Sequence, residues 1–275
     1  MNDIESIRGP RWDVQTLDLS AVDVARVRDN DEMFLLVCSA SFVESGSDTY
    51  TRNLVDYFAG DEGVQAWLQH QWQPEELQHG RALKAYVQRV WPELDWDAAY
   101  ADFFAEYSAL CTVEALEPTR AQELAARCIV EMGTTTYYQA LHDACDEPVL
   151  RDLTWRIRSD EVQHYKHFYH AFVRYRQAEA LHRPGVLAAL WRRVAELRAS
   201  DADVALRHAA AWRWREGTQR PSDAQVHRRV YALMARTYPV DLAVRMALKP
   251  LRLPPAMQRW TERPMAALVR QAILH

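Results

Sequence analysis

Two stretches decide how this chain is read: WQPEELQHGRAL at residues 72–83 and SDEVQHYKHFYHAF at residues 159–172. Each carries a Glu-x-x-His spacing, Glu76–His79 in the first and Glu161–His164 in the second. On a helix, residues three apart project from one face about a turn apart. A carboxylate and an imidazole so placed can reach the same metal ion. Working outward, a lone glutamate precedes each pair, Glu44 by 32 residues and Glu131 by 30. The pattern is therefore an internal pseudo-repeat of ligands, each half laid out as a helical hairpin.

Four facing helices of this kind supply four carboxylates and two imidazoles, the ligand set of ferritin-like di-iron and di-manganese proteins. Oxygen-rich donors with one nitrogen per metal favour iron or manganese over a closed tetrahedral zinc site. Two cations also make the acids tolerable, since buried carboxylates repel one another and stay protonated without them. Random placement of the 18 Glu and 10 His would give fewer than one Glu-x-x-His, and the chain has three. The third, Glu179–His182, runs straight into Arg183-Pro184-Gly185 and is set aside. Its counterpart Glu147 precedes Pro148 and reads as an acidic helix start. His167 and His170, further along the same helix, read as packing or solvent-facing residues.

The surrounding sequence has the punctuation of a helical bundle. Only 8 Gly and 12 Pro interrupt 275 residues, and no stretch alternates in the manner of a strand. Helices are predicted over about 31–59, stopped by Gly60, and over 63–91, ended by Trp91-Pro92. A connector follows over 96–115, then helices over 118–145 and from Pro148 to about 181. Shorter helices fill the rest, separated near Gly217–Pro221, Tyr238-Pro239 and Pro254-Pro255. Residues 1–30 read as an irregular arm with one short helix. The expected fold is an all-α, ferritin-like four-helix bundle in a single domain, with a core over about 31–182 and a helical C-terminal extension over about 183–275.

Composition narrows the function classes. Apolar residues make up 49% and charged residues 26%, ordinary for a globular chain. No apolar run approaches the roughly 18–20 residues a membrane span needs, and MNDIESIRGPRWD is too polar for a secretory signal. Cys38, Cys111, Cys128 and Cys145 are scattered and read as reduced thiols of a cytoplasmic protein. The net charge of −5 hides an asymmetry. Residues 181–275 hold 17 Lys+Arg against 7 Asp+Glu, and residues 1–180 hold 16 against 31. The basic third suits an acidic partner or is simply solvated. Nucleic acid is not expected, because the overall balance is acidic and no binding motif appears.

At these residues the chain resembles the soluble acyl-carrier-protein desaturases, a branch of the ferritin-like superfamily. MFLLVCSASFVESGSDTYTRNL (33–54) is similar to their first ligand helix, and WQPEELQHGRAL to their Trp-x-x-Glu-Glu-x-x-His-Gly motif. SDEVQHYKHFYHAF is similar to their Asp-Glu-x-x-His helix, and RLPPAMQRWTER (252–263) to a Pro-Pro segment near their C-terminus. The resemblance implies Glu44 and Glu131 as terminal ligands, Glu76 and Glu161 as bridges, and His79 and His164 as completing each coordination sphere. It implies two catalytic residues besides: Thr134 near the oxygen-binding face, and Asp160 supporting a metal-bound histidine and relaying electrons. Trp12 matches the aromatic end of that relay, although core packing is the simpler reading. The chain departs from the family at Asp48, Asn53, Asp56 and Tyr57, where aliphatic residues line an acyl channel. A shorter, bent or more polar substrate then fits as well as a long acyl chain.

The expected activity is oxygen-dependent oxidation of an unactivated C–H bond by two iron ions, with manganese the alternative at one or both sites and dioxygen as co-substrate. The product would be a desaturated or hydroxylated acyl group, carried on an acyl carrier protein or free. No flavin, nicotinamide or iron–sulfur motif is present, so electrons come from an external donor such as ferredoxin. The resemblance implies a homodimer. Three rivals stand beside this reading: N-oxygenation, C–C cleavage, and ferritin-like handling of iron or peroxide.

Overall fold

A computed structural model describes residues 9–112, 115–196, 201–215 and 219–274 of the chain. It is helical throughout, with no strand among the described residues. No helix among them is long and apolar enough to cross a membrane. The N-terminal arm forms three short 3-10 turns, at 14–16, 19–21 and 24–26, in place of the single helix expected there.

Helix α1 (Asp31–Ser45) begins where the Asn30 side chain accepts the Met33 amide, with Asp31 and Glu32 against the positive helix end. Every residue from Met33 to Phe42 is buried, as an all-round apolar helix requires. The expected single helix over 31–59 is broken at Gly46, and α2 (Ser47–Tyr57) follows. The Gly46 amide donates to the Phe42 and Val43 carbonyls at 3.1 Å, closing α1. The Tyr107 ring stands where a Cβ on Gly46 would meet it at 2.8 Å. Gly60 ends this region at φ +89°, the left-handed stop its sequence position suggested.

The second ligand helix runs from α3 (Glu62–Trp67) through a π turn at Leu68–Trp72 into α4 (Gln73–Val90). Pro74 accounts for the widened turn: it has no amide, and its ring clashes with the carbonyl four residues back in a regular helix. The Gln73 amide reaches back five residues, to Leu68. Next come α5 (Trp96–Tyr107), shorter than the 96–115 expected, then α6 (Arg120–Ala144) and α7 (Pro148–Ala178). Glu147 starts α7 as its position suggested, accepting the Val149 and Leu150 amides. The remaining helices are α8 (Arg183–Glu196), α9 (Asp201–Arg213), α10 (Asp223–Thr237), α11 (Val240–Leu248) and α12 (Pro255–Leu274).

The chain divides into two compact units. In the first, formed by residues 1–115, 145–156 and 199–233, α1 packs on α4 and α9, and α5 packs on α9. Phe42 and Phe103 stack at 5.5 Å, and Trp96 donates its indole N–H to Ser41. Basic residues of the C-terminal third are consumed here. Arg213 pairs with Asp31 at 3.0 Å, Arg229 with Glu32 at 2.7 Å and Arg207 with Glu106 at 2.7 Å.

The second unit is formed by residues 116–144, 157–198 and 234–275. There α6 packs on α8 and α11, and α11 on α12 through Val240, Val244, Leu248 and Ala266. The Tyr165 hydroxyl donates to the Met246 carbonyl at 2.6 Å, tying α7 to α11. All four cysteines are free thiols, and burial alone pushes Cys38 well above its ordinary range.

Candidate metal centre

In the first unit, α1 and α4 converge at the ligand positions. A Cβ on Gly80 would lie 2.8 Å from the Ser45 amide nitrogen and 2.9 Å from its Cα. Only a glycine lets the two backbones approach this closely, and the contact adjoins Glu44 on one helix and His79 on the other. Glu44, Glu76 and His79 each offer an atom within 4.8 Å of the others', and all three are buried. The His79 Nδ1 stands 3.6 Å from Glu44 Oε2. That separation is too long for a good hydrogen bond. It suits two donors sharing one ion, which at metal–ligand bonds of roughly 2.0–2.2 Å sit about 3–3.6 Å apart.

Neighbours hold this triad in place. Trp12 lies parallel to the His79 ring, 6.2 Å between centroids and 11° between planes. Core packing is the simpler sequence reading for Trp12; the structure leaves it half-buried against the His79 imidazole. Arg11 fixes this arm by a two-pronged pair with Glu75, at 3.0 and 2.9 Å, and Gln71 donates to the same carboxylate at 2.6 Å. The adjacent glutamates thus divide their work: Glu75 anchors the arm and Glu76 is left to the triad. Sequence reasoning missed this anchor. Its signal was an arginine beside a matched tryptophan, together with a second acid beside the ligand.

The second unit builds the same triad from α6 and α7. Glu131, Glu161 and His164 each offer an atom within 4.8 Å of the others', and each is at most 1% exposed. The His164 Nδ1 lies 3.6 Å from Glu131 Oε2 and 3.7 Å from Glu161 Oε2. The imidazole-to-lone-glutamate distance is thus the same in both units, which turns the pseudo-repeat of the sequence into a repeat of geometry. Thr134 donates to Glu161 Oε2 at 2.6 Å, besides longer contacts to the Val130 and Glu131 carbonyls. Asp160 is buried beside Glu161 in sequence. Burial pushes the Glu131 carboxyl up from 4.5 to about 7, with the Glu161 charge adding to the rise and His164 opposing it.

Each triad therefore has the chemistry of a site that could hold a divalent cation. Two carboxylates and one imidazole are taken out of water, at a cost that a cation between them offsets. The set-aside motif behaves differently. Glu179 lies just past the end of α7 and accepts the Ala121 amide at the start of α6, and His182 is exposed. His170 is exposed and His167 half-buried. Of the polar positions that depart from the desaturase pattern, Asp48, Asn53, Asp56 and Tyr57 all fall on α2, beyond the break at Gly46. Asn53 is bonded to the Cys111 carbonyl and Asp56 is exposed. No protein-family model matches the chain, and no curated protein matches it.

Proposed function

We propose that this protein is a ferritin-like, oxygen-dependent di-iron oxidoreductase that removes hydrogen from an unactivated C–H bond of an acyl substrate. The observation that carries the reading is the duplicated buried triad, one lone glutamate with one Glu-x-x-His in each unit. Glu44, Glu76 and His79 would hold one ion and Glu131, Glu161 and His164 the other, each set with a single nitrogen donor. When bound, a pair of irons supplies the reduction of dioxygen that oxidation of an unactivated C–H bond requires.

The chain's own groups do the rest. Burial of all six ligands keeps water from the reacting volume. The Thr134 hydroxyl fixes one oxygen of Glu161, limiting the orientations that carboxylate can adopt. Glu131 holds a proton in the metal-free protein up to about pH 7 and surrenders it when a cation enters. Trp12 against His79 gives electrons from an external ferredoxin-type donor an aromatic group next to a ligand. Asp160 would support a ligand histidine in the manner the desaturase resemblance implies. A cytoplasmic homodimer acting on a carrier-linked or free acyl group completes the reading, with manganese the alternative metal.

Anaerobic Fe(II) titration of the metal-free protein, followed by mixing with dioxygen, tests it. Two irons per chain are expected, with an absorbance transient on oxygenation whose decay responds to acyl substrates. The Glu76→Ala variant is expected to lose iron. Failure to take up iron, or uptake unaffected by Glu76→Ala, would overturn the assignment. Assembly into a 24-subunit shell would favour iron storage instead.

A further inference from the structure

A second feature lies in the second unit, built from none of the six ligands. Where α7 ends and α8 begins, an open cavity of about 480 Å³ is lined by Arg176, Gln177, Ala180, His182, Arg183 and Arg252. Three guanidinium groups thus border one cavity, and none of them forms an ion pair with a carboxylate among the described residues. Arg176 donates to the Leu181 and Pro250 carbonyls, and Arg183 to the Leu251 and Arg252 carbonyls. Each therefore spends two of its five N–H donors on the cavity's own walls and keeps three. The Arg252 side chain makes no hydrogen bond at all among the described residues.

The surroundings compound the positive charge. Arg183 is the first residue of α8, whose first turn has no acid, so a cation sits where the helix already presents partial positive charge. Clamping the two loops accounts for Arg176 and Arg183 but not for Arg252. Two non-glycine residues on these walls, Ala180 at φ 51° and Arg252 at φ 49°, adopt left-handed backbone. Such outliers collect at ligand clamps. Desolvation, then repulsion from Arg252 and Arg183, lowers the Arg176 pKa, which is the imbalance an anion relieves.

We propose that this cavity binds a phosphate group, with the Arg183 and Arg252 guanidinium groups as its donors beside the positive end of α8. Guanidinium forks match phosphate oxygens in pairs, and helix starts receive them. The volume exceeds what a phosphate alone fills, leaving room for a small organic ester.

The test titrates the purified protein, at low salt and pH 8, with inorganic phosphate and with glycerol 3-phosphate by calorimetry. One saturable site per chain is expected. Arg252→Glu should weaken it at least about tenfold, roughly 1.4 kcal/mol, with Arg183→Gln acting in the same direction. Arg259→Glu, an equal charge change on α12, should leave it within about twofold, and circular dichroism verifies folding of each variant. Tighter binding of the ester supports an organic phosphate as ligand; equal binding supports the free anion. Absence of saturation, or equal weakening by Arg252→Glu and Arg259→Glu, overturns the proposal. Iron loading is unaffected in every arm, so failure here leaves the metal assignment standing.

Discussion

Replacing Gly80 with alanine should damage both stability and metal binding, and the two forces acting there have opposite signs. In a helix free of neighbours, Gly→Ala stabilises by about 1 kcal/mol through propensity. At Gly80 the new Cβ would meet the Ser45 Oγ at 2.6 Å, its amide nitrogen at 2.8 Å and its Cα at 2.9 Å. The hydroxyl can rotate away, but the other two atoms are backbone of α1. Restoring ordinary contact needs α1 and α4 to part by roughly 0.5–1 Å, and overpacking of this kind costs about 1–3 kcal/mol. Weighed against the propensity gain, the net loss is up to about 2 kcal/mol. The same displacement separates Glu44 from Glu76 and His79, so metal affinity should fall well beyond the stability change. Urea unfolding of the metal-free protein and an Fe(II) titration read the two effects separately. A Gly80→Ala protein more stable by about 1 kcal/mol, with metal binding intact, would refute the close approach.

Three further outcomes follow from individual contacts. Because burial raises Glu131 from 4.5 to about 7, the folded metal-free protein holds a proton that the unfolded chain releases. Its stability should be greatest below pH 4.5 on this group's account and decline by roughly 3 kcal/mol as pH rises to about 7. Bound metal should abolish that slope, and urea midpoints across the window, with and without metal, measure both. Thr134→Val removes the 2.6 Å donor to Glu161 without changing side-chain volume; a loss of about 1.5–3 kcal/mol in metal binding is expected, and unchanged calorimetry would show the hydroxyl to be spent on the helix backbone. Arg11→Ala leaves the buried Glu75 carboxylate without its two-pronged partner. With Arg11 itself 37% exposed, the cost should be about 2–3 kcal/mol, below that of a fully buried pair. It should be largely recovered by adding Glu75→Gln, with Trp12 fluorescence reporting the arm.

The six side chains that the structure gathers into two clusters were legible in the sequence because their pattern is periodic. Glu76–His79 and Glu161–His164 need only a helix to share a face, and the matched intervals to Glu44 and Glu131 need only two hairpins of similar length. The prolines at 148, 239 and 254 likewise mark breaks or starts by a local mechanism, the missing amide and fixed φ. What escaped depended on partners distant in sequence. The break at Gly46 was invisible because glycine within a helical pattern is ambiguous, and the Tyr107 ring that occupies its missing side chain lies 61 residues away. The π turn follows from Pro74, yet a proline near a helix start equally suggests an ordinary first turn. The Arg11–Glu75 anchor spans 64 residues, so its local signals, an arginine beside Trp12 and a second acid beside Glu76, did not announce the pairing.

The basic C-terminal third carries the same lesson about charge. Its sum suits an acidic partner or a simply solvated face, and Arg207, Arg213 and Arg229 are spent on Glu106, Asp31 and Glu32 of their own unit. Two arginines of that third with no acid partner among the described residues, Arg183 and Arg252, border one cavity. A net charge constrains association only after the internal pairs are subtracted, and here the subtraction lowers the charge available to an acidic partner. Charge reversal at Arg207, Arg213 or Arg229 would therefore break pairs within the unit before it struck any partner, whereas reversal at Arg252 would strike anion binding.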